Sequence, residues 1–203
     1  MDTTERDFWV AYSGFNEPKF IKDCGDGQGD LRKIAYGYVK NWRSCIDIGA
    51  NVGMWTRFLL KDFAKVYSFE PNPLFVECFK RNIETSDSLE LHQVGLSNKE
   101  HSACFENKTD QVLKNKPGEI LCLTLDSFGL DQIDFIKVDV DGFEDNVIEG
   151  AMETIQRNAP VINIEMKRLK RPRVCRRVDS MLKSLGYKQQ TRTKSDEVWV
   201  KSI

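Results

Sequence analysis

Short apolar runs alternate with amphipathic segments along most of the chain. The apolar runs are typical of buried strands and cover residues 45–49, 66–69, 89–94, 133–140 and 160–164. Between them, apolar positions recur at helical spacing over residues 30–39, 52–61, 73–83, 144–157 and 172–185. Two last runs, 187–193 and 197–201, predict a closing hairpin. Strands that alternate with helices predict an α/β fold with a mainly parallel sheet.

The first 44 residues have a less regular pattern. Phe8, Trp9, Tyr12 and Phe15 are apolar at roughly helical spacing, and a glycine-rich loop follows them. We therefore expect residues 1–44 to form a helical extension that packs on a core of residues 45–203.

Composition bounds the class of protein. Of the 203 residues 40% are hydrophobic and the net charge is −1, which fits a folded domain and excludes general disorder. No stretch without a charged residue exceeds nine residues, so we expect no membrane-spanning helix. The acidic N-terminus lacks the apolar core of a secretory signal, and the six cysteines show no paired spacing. We therefore expect a cytoplasmic protein with reduced thiols.

The charges are unevenly distributed. Residues 167–177 contain seven of the 30 cations and no acid, so the rest of the chain has 23 cations against 31 acids, a balance of −8. Lys167, Arg168 and Arg171 stand at the start of this segment, just after the fifth strand. One basic segment on an otherwise acidic chain predicts an anionic partner, such as a phosphorylated or acidic saccharide.

A glycine loop lies between the first buried strand and the next helix, at residues 47–53. Gly49 and Gly53 allow backbone to approach a ligand closely, but the loop is neither the dinucleotide fingerprint nor a P-loop. The next strand ends at Glu70, about 20 residues further on, where an acid is placed to bind the ribose hydroxyls of an adenosine. Loop and acid together predict an adenosine-containing cofactor, and we call residues 47–53 the cofactor loop.

Four segments carry a resemblance to a known family. DIGANVGMWT, YSFEPNP, TLDSF and IDFIKVDVDGFEDNVIEGA resemble the signature segments of FkbM-type methyltransferases, over residues 45–165. The resemblance implies a Rossmann-like class I methyltransferase fold, a mostly parallel seven-stranded sheet of order 3-2-1-4-5-7-6 with helices on both faces. It also implies S-adenosylmethionine (SAM) as cofactor and methyl transfer to a hydroxyl of a sugar, glycan or other small molecule. Asp141 departs from this family pattern, which usually has Glu at its position.

The resemblance also implies roles for particular residues. Those that would hold SAM are Asp47, Gly49, Ala50, Asn51, Gly53 and Glu70. Ser97, in the turn after the third strand, would flank the adenine, and Asp139 would lie near the methionine end of the cofactor and the acceptor.

Carboxylates are the candidate catalytic groups. An alcohol acceptor must lose a proton, and the two histidines lie inside a strand and in an irregular region. Asp139 and Glu165 are predicted to end adjacent strands and to face one another as base, acceptor ligand or partner of the SAM amino group. Lys137 shares a side of its strand with Asp139, so it is the third catalytic candidate, and it is expected to pair with that acid rather than act by itself. A minority hypothesis makes Asp139, Asp141 and Glu165 ligands of a divalent cation.

Two other functions remain open from the sequence. An RNA 2′-O-methyltransferase would use a Lys-Asp-Lys-Glu set, here Lys33 or Lys40 with Asp139, Lys167 and Glu197, and its basic segment would bind phosphates. A SAM- or nucleotide-binding protein without catalysis would share the cofactor loop. A nicotinamide oxidoreductase is disfavoured because the dinucleotide fingerprint is absent.

Overall fold

The computed structural model describes residues 2–3, 9–10, 29–105, 118–193 and 195–202. The strands are β1 Asp2–Thr3, β2 Trp9–Val10, β3 Ser44–Ile48, β4 Lys65–Phe69, β5 Leu89–His92, β6 Gly95–Leu96, β7 His101–Ala103, β8 Ile120–Leu123, β9 Ile133–Val138, β10 Val161–Glu165, β11 Tyr187–Arg192 and β12 Asp196–Lys201. The helices are α1 Gly29–Tyr36, α2 Thr56–Asp62, α3 Pro73–Asn82, α4 Glu144–Glu149, α5 Met152–Asn158 and α6 Pro172–Ser184, with a short 3₁₀ turn at Asp126–Phe128.

Seven strands form the main sheet in the order β11-β12-β10-β9-β3-β4-β5. All pairs from β10 to β5 are parallel, and β12 is antiparallel to both β10 and β11. The predicted α/β fold with a closing hairpin is therefore confirmed. The chain runs outward from β3 in one direction and from β9 in the other, so the topological switch point lies between these strands. In open α/β sheets, ligands bind at the carboxyl ends of the strands beside such a point.

The main sheet has a helix layer on each face. We call the face that carries Cys45, Val66 and Phe135 the front face; α1 and α2 pack there. The alternate residues of the same strands, such as Ile46 and Ile136, point to the back face, where α4, α5 and α6 cover them. Both faces are closed by apolar contacts, so the strands are buried on both sides, as a parallel sheet requires.

One predicted helix is two helices. The pattern over residues 144–157 predicts a single helix, but α4 ends at Glu149 and α5 begins at Met152. A Cβ at Gly150 would lie 2.0 Å from the carbonyl oxygen of Ser97, so the break brings the backbone against the turn at Ser97. Asp126 then caps the second helix, since its carboxylate accepts from the amides of Glu153 and Thr154.

Two other boundaries differ from the pattern. The predicted helix over 30–39 ends at Tyr36, and two residues of its supposed apolar face, Ile34 and Tyr38, are exposed. The helix predicted from residue 52 begins at Thr56, because the cofactor loop continues through a series of turns.

The N-terminal segment is described only in part. Of the four apolar residues at helical spacing, Trp9 lies in β2 rather than in a helix, and Phe8, Tyr12 and Phe15 lie outside the described residues. The Trp9 amide donates to Asn82 Oδ1, and Asn82 Nδ2 donates to the Trp9 carbonyl. The same Nδ2 also donates to the carbonyl of Val52 in the cofactor loop, so β2 is attached to α3 beside that loop.

Candidate functional site

Two rows of side chains cross the front face near the carboxyl ends of the strands. Residues opposite one another in register lie on the same face. The inner row contains Ser68, Asp47, Lys137 and Asn163, each opposite the next in the sheet and all buried. The outer row lies two residues beyond the inner row on the parallel strands and contains Glu70, Gly49, Asp139 and Glu165; Asp196 of β12, opposite Glu165, completes it. The strands that end at the switch point thus present a buried polar row beneath a row of acids.

The inner row is a connected network. Thr56 at the start of α2 donates its hydroxyl to Asp47 Oδ2 at 2.7 Å and lies 3.0 Å from the Ser68 hydroxyl. Lys137 Nζ lies 3.1 Å from Asp47 Oδ1 and donates to the carbonyl oxygen of Gly49 at 2.8 Å. Lys137 therefore pairs with Asp47 and the cofactor loop. Neither of these contacts is with Asp139, the partner that the sequence predicts.

The charge of Lys137 is held by its neighbours. Burial alone would lower the pKa of this lysine, but the carboxylates of Asp47 and Asp139 outweigh burial and raise the pKa above its usual value. The side chain is only 5% exposed, so a lysine without these partners would be expected to lose its proton. Lys137 thus stays protonated at neutral pH.

The cofactor loop is built from backbone contacts. Gly49 and Ala50 both donate their amides to the Phe69 carbonyl oxygen at 3.0 Å. Gly49 has φ +75°, and a Cβ there would lie 1.9 Å from the carbonyl oxygen of Asp139. Gly53 has φ +93°, and its Cβ would lie 2.7 Å from Ile83. Glycine is thus required at both predicted positions by conformation and by close packing.

Glu70 lies at the end of β4 and is 5% exposed. Its Oε2 accepts the Asn51 amide at 2.9 Å and its Oε1 accepts the Asn72 amide at 2.8 Å. Each carboxylate oxygen can accept a second hydrogen bond, so both retain capacity for a pair of ligand hydroxyls. Burial raises the pKa of Glu70 to about 7 despite the two amides. A buried carboxylate with spare acceptor capacity beside a glycine loop fits the ribose of an adenosine cofactor.

The other predicted cofactor residues, Asn51, Asp47 and Ser97, lie in three different environments. Asn51 has φ +51°, and its side-chain oxygen accepts the Val52 amide at 2.8 Å. Asp47 is fully buried beneath the loop, where it contacts Thr56 and Lys137, so its carboxylate is not accessible to a ligand. Ser97 is 2% exposed, and its amide donates to the Leu123 carbonyl oxygen in a small sheet of order β6-β8-β7.

Charged side chains surround the carboxyl ends of β9 and β10. Asp139 directly follows β9 and Glu165 is the last residue of the paired strand β10, so the two acids end adjacent strands, as the sequence predicts. Burial, followed by the charge of Asp139, raises the pKa of Glu165 to about 7. The Lys167 ammonium is 2.7 Å from Glu165 Oε2 and also contacts the Asp141 carboxylate. Asp141 itself has φ +52° and accepts a second cation, Arg171, at 3.4 Å.

The predicted anion-binding residues already have carboxylate partners. Arg168 donates to both oxygens of Asp179 at 2.8 Å and to both oxygens of Glu197 at 2.5 and 2.7 Å. Arg171 lies 3.9 Å from Glu144 in addition to Asp141, and Lys167 joins Asp141 to Glu165. The excess charge that the sequence shows in this segment is therefore largely balanced by acids from distant parts of the chain.

The hypothetical set of Lys33 or Lys40, Asp139, Lys167 and Glu197 is not assembled as one group, because Glu197 lies apart from Asp139, and Lys33 and Lys40 are both exposed. Glu197 is opposite Ile164 in the sheet and so points to the back face, whereas Asp139 belongs to the front face. Lys33 is largely exposed and lies 3.9 Å from Asp30. Among the described residues, no group of three or more His, Cys, Asp or Glu side chains is arranged to hold a metal ion. His92 stacks on Phe69, with ring centroids 4.7 Å apart, and does not belong to either row.

Sequence reasoning missed several members of the rows. Asn163 is the one polar residue in the apolar run over 160–164, which marks a buried polar position in a strand. Asp196 joins the outer row only because β12 returns antiparallel beside β10, opposite Glu165. Thr56 has no sequence signal of its own, since its role depends on where α2 begins.

Comparison with known proteins identifies the relatives of this arrangement. The sequence model described as the methyltransferase FkbM domain matches residues 47–189, and no curated protein sequence matches the chain. Methyltransferase FkbM from Methylobacillus flagellatus is similar in structure, with a TM-score of 0.58 and 16% identity. The match covers 81% of this chain and 45% of that one, so this chain spans less than half the length of that relative.

Two further solved structures share the fold. Magnesium protoporphyrin IX methyltransferase from Synechocystis PCC 6803, solved with bound SAM, has a TM-score of 0.54 and 12% identity, and the match covers 96% of this chain and 88% of that one. An rRNA methylase from Streptococcus thermophilus has a TM-score of 0.53 and 14% identity over 84% and 93% of the two chains. The described part of this chain has no helix that is long and apolar enough to cross a bilayer.

Proposed function

The chain belongs to the methyltransferase FkbM family, and on this basis we propose that it is a SAM-dependent O-methyltransferase whose acceptor is a hydroxyl of a sugar, glycan or other small molecule. The observation that carries the proposal is the outer row. Glu70 at one end of this row suits an adenosine, and the carboxylates of Asp139 and Glu165 end the strands on the other side of the switch point.

SAM supplies an electrophilic methyl group on its sulfonium. We assign the ribose hydroxyls of the cofactor to Glu70 and its adenine to the turn at Ser97. The backbone of Gly49, Ala50, Asn51 and Gly53 shapes the cleft between these two contacts. Asp47 supports the loop from beneath.

Asp139 and Glu165 bind the acceptor hydroxyl and remove its proton. A general base works best when its pKa is near the working pH, and the pKa of Glu165 is raised to about 7. Asp139 is half-buried beside the Gly49 backbone, so it lies between the cofactor loop and Glu165. Lys167 holds Glu165 in place and stabilises its charged form.

The acid-rich outer row favours a neutral acceptor over an anionic one. The three cations that the sequence suggested for an anionic saccharide are each bound to carboxylates. At these three residues, an RNA phosphate would compete with the carboxylates that already bind the cations. The structure therefore supports the small-molecule or saccharide acceptor more than the RNA alternative.

Methyl transfer from labelled SAM tests the function. The purified protein is incubated with labelled SAM and, in separate reactions, with a panel of neutral and acidic saccharides, total RNA and a metabolite extract. We expect label in a saccharide or small molecule, in an alkali-stable ether. Label in RNA alone would replace the proposal by the RNA alternative, and SAM binding without any transfer would favour a binding protein.

The acidic pair is tested by Asp139→Asn and Glu165→Gln. We expect each change to lower kcat by about 10²–10⁴-fold, with the Kd for SAM altered far less, because each removes a group that handles the acceptor proton. Asp131→Asn, an exposed acid that pairs with Arg157, is the matched control. A chelator that abolishes activity, with recovery on adding a divalent metal, would make these acids metal ligands instead.

A further inference from the structure

Lys137 is a buried lysine whose hydrogen bond and ion pair are with the cofactor loop and not with the proposed acceptor residues. It lies in the middle of the site, on β9, and only 5% of it is exposed. Its ammonium donates to the carbonyl oxygen of Gly49 at 2.8 Å and lies 3.1 Å from Asp47 Oδ1. Both partners are part of β3 and the cofactor loop that follows it.

A buried ammonium must have compensating partners. Removing a lysine from water costs several kcal/mol unless charges and hydrogen bonds replace the water. Asp47 supplies the charge, and Asp47 is in turn fixed by the Thr56 hydroxyl at 2.7 Å. A cation that is held in this way at the base of a loop cannot accept a proton from a substrate. Its contacts act on the position of the loop.

The contact at Gly49 has a mechanical consequence. The Gly49 carbonyl is fixed by β9 through Lys137, and the position of a Gly49 Cβ is occupied by the carbonyl oxygen of Asp139, the residue that directly follows β9. The next front-face residue after Lys137 is Asp139 itself. One strand therefore fixes both the direction of the loop backbone and the place of the acceptor carboxylate.

We propose that Lys137 is a positioning residue, and that its ammonium fixes the Gly49 carbonyl so that the cofactor loop and Asp139 are aligned. The proposal rests on the function proposed above, and it excludes Lys137 as the base. Misplacement of a reacting group by about 1 Å can cost about 10²-fold in rate, so a small shift of the loop has a measurable effect.

Three variants test the role of Lys137 in the intact chain. Lys137→Met keeps the length of the side chain and removes its charge. Lys137→Arg keeps the charge, but a planar guanidinium is wider than an ammonium and does not reproduce the hydrogen bond to the Gly49 carbonyl oxygen. The double variant Lys137→Met with Asp47→Asn removes both members of the buried ion pair together, and the Asn oxygen can still accept from Thr56. Lys65→Met, at the opposite end of β4, is the matched control.

Calorimetry gives the Kd for SAM, and initial rates at saturating SAM give kcat and its pH profile. We expect the Kd to rise about tenfold or more in Lys137→Met and in the double variant, a smaller rise in Lys137→Arg, and none in Lys65→Met. The pH midpoint of kcat should not move. The double variant should unfold close to the temperature of the wild type, which separates loop position from loss of folding.

Three results would overturn the proposal. If Lys137→Met has a Kd for SAM within about twofold of the wild-type value and its pH profile of kcat loses one limb, Lys137 is a proton-transfer group. An unchanged Kd and kcat in the double variant would leave Lys137 as part of the core only. A wild-type protein that binds no SAM would overturn the proposed function itself, whereas weak binding in the variants alone concerns only Lys137.

Discussion

The cofactor half and the acceptor half of the site are fixed by different kinds of contact. At the ends of β3 and β4, backbone amides donate to the Phe69 carbonyl and to Glu70, and two glycines pack without space for a side chain. At the ends of β9 and β10, ion pairs among side chains link the loops instead, with Lys167 as their centre. Backbone contacts tolerate little change, whereas ion pairs can be exchanged one at a time. We therefore expect substitutions in the proposed acceptor half to be tolerated better than substitutions in the cofactor half.

The largest effect is expected from Gly49→Ala. The new Cβ would lie 1.9 Å from the Asp139 carbonyl oxygen, so one backbone segment must move. We expect kcat/KM to fall by about 10²-fold or more, because both halves lose their alignment. Gly186→Ala is the control: its φ is +83°, similar to the +75° of Gly49, but nothing lies within 4 Å of the new Cβ. Equal losses in both variants would mean that conformation, and not the close contact, requires Gly49.

Arg168→Met should separate stability from acceptor binding. It leaves Glu197, which is 1% exposed, without its main cation. Loss of one partner of a buried ion pair costs about 3–5 kcal/mol. We expect the free energy of unfolding in urea to fall by about that amount, with little change in the Kd for SAM. Lys170→Met, an exposed neighbour, should change neither. A normal stability together with a raised acceptor KM would restore Arg168 as an anion ligand.

Glu70→Gln tests the cofactor half alone. Hydrogen bonds to charged groups contribute about 1.5–3 kcal/mol, so removal of the charge should weaken SAM at least about tenfold in calorimetry. Once the higher Kd is saturated, kcat should return to within a few-fold of wild type, because the acceptor half is intact. Glu90→Gln on β5, where the side chain is half-exposed, should bind SAM normally. A normal Kd in Glu70→Gln would contradict the ribose assignment.

The last prediction concerns stability without cofactor, which should depend on pH. The pKa of Glu70 is about 7 in the folded chain against 4.5 as its usual value, because it is buried. A carboxyl whose folded pKa is raised is most stabilising when protonated, so its contribution is lost as the pH rises from about 4.5 to about 7. The free energy of unfolding of the wild type should therefore fall relative to that of Glu70→Gln across this range. A constant difference would indicate that Glu70 ionises normally.

The difference between the cofactor half and the acceptor half also explains which parts of the structure could be predicted from the sequence. Asp47, Gly49, Gly53 and Glu70 lie within 24 residues, and their positions follow from a strand, a turn and the next strand. Local periodicity is enough to place such residues at one sheet edge. The fold class follows from the same alternation along the whole chain.

The acceptor half depends on contacts that local patterns do not contain. Arg168 pairs with Glu197, 29 residues away, and with Asp179, which lies 11 residues away within α6. The sequence shows a basic segment but not the acids that fold against it. The helix break at Gly150 is not predicted for a similar reason, since the backbone there packs against the carbonyl of Ser97, more than 50 residues earlier.

Helix α4 touches both halves. Its C-terminal end meets the turn at Ser97 and Asn98, where Asn98 Nδ2 donates to Glu149 at 3.0 Å. Its N-terminal end holds Arg171 through Glu144. A displacement of α4 on acceptor binding would reach the turn assigned to adenine, and thermodynamic linkage then requires SAM to change the acceptor affinity by the same factor. The six-residue helix α4 is therefore an element through which a movement at the end of β9 would be transmitted to the turn at Ser97.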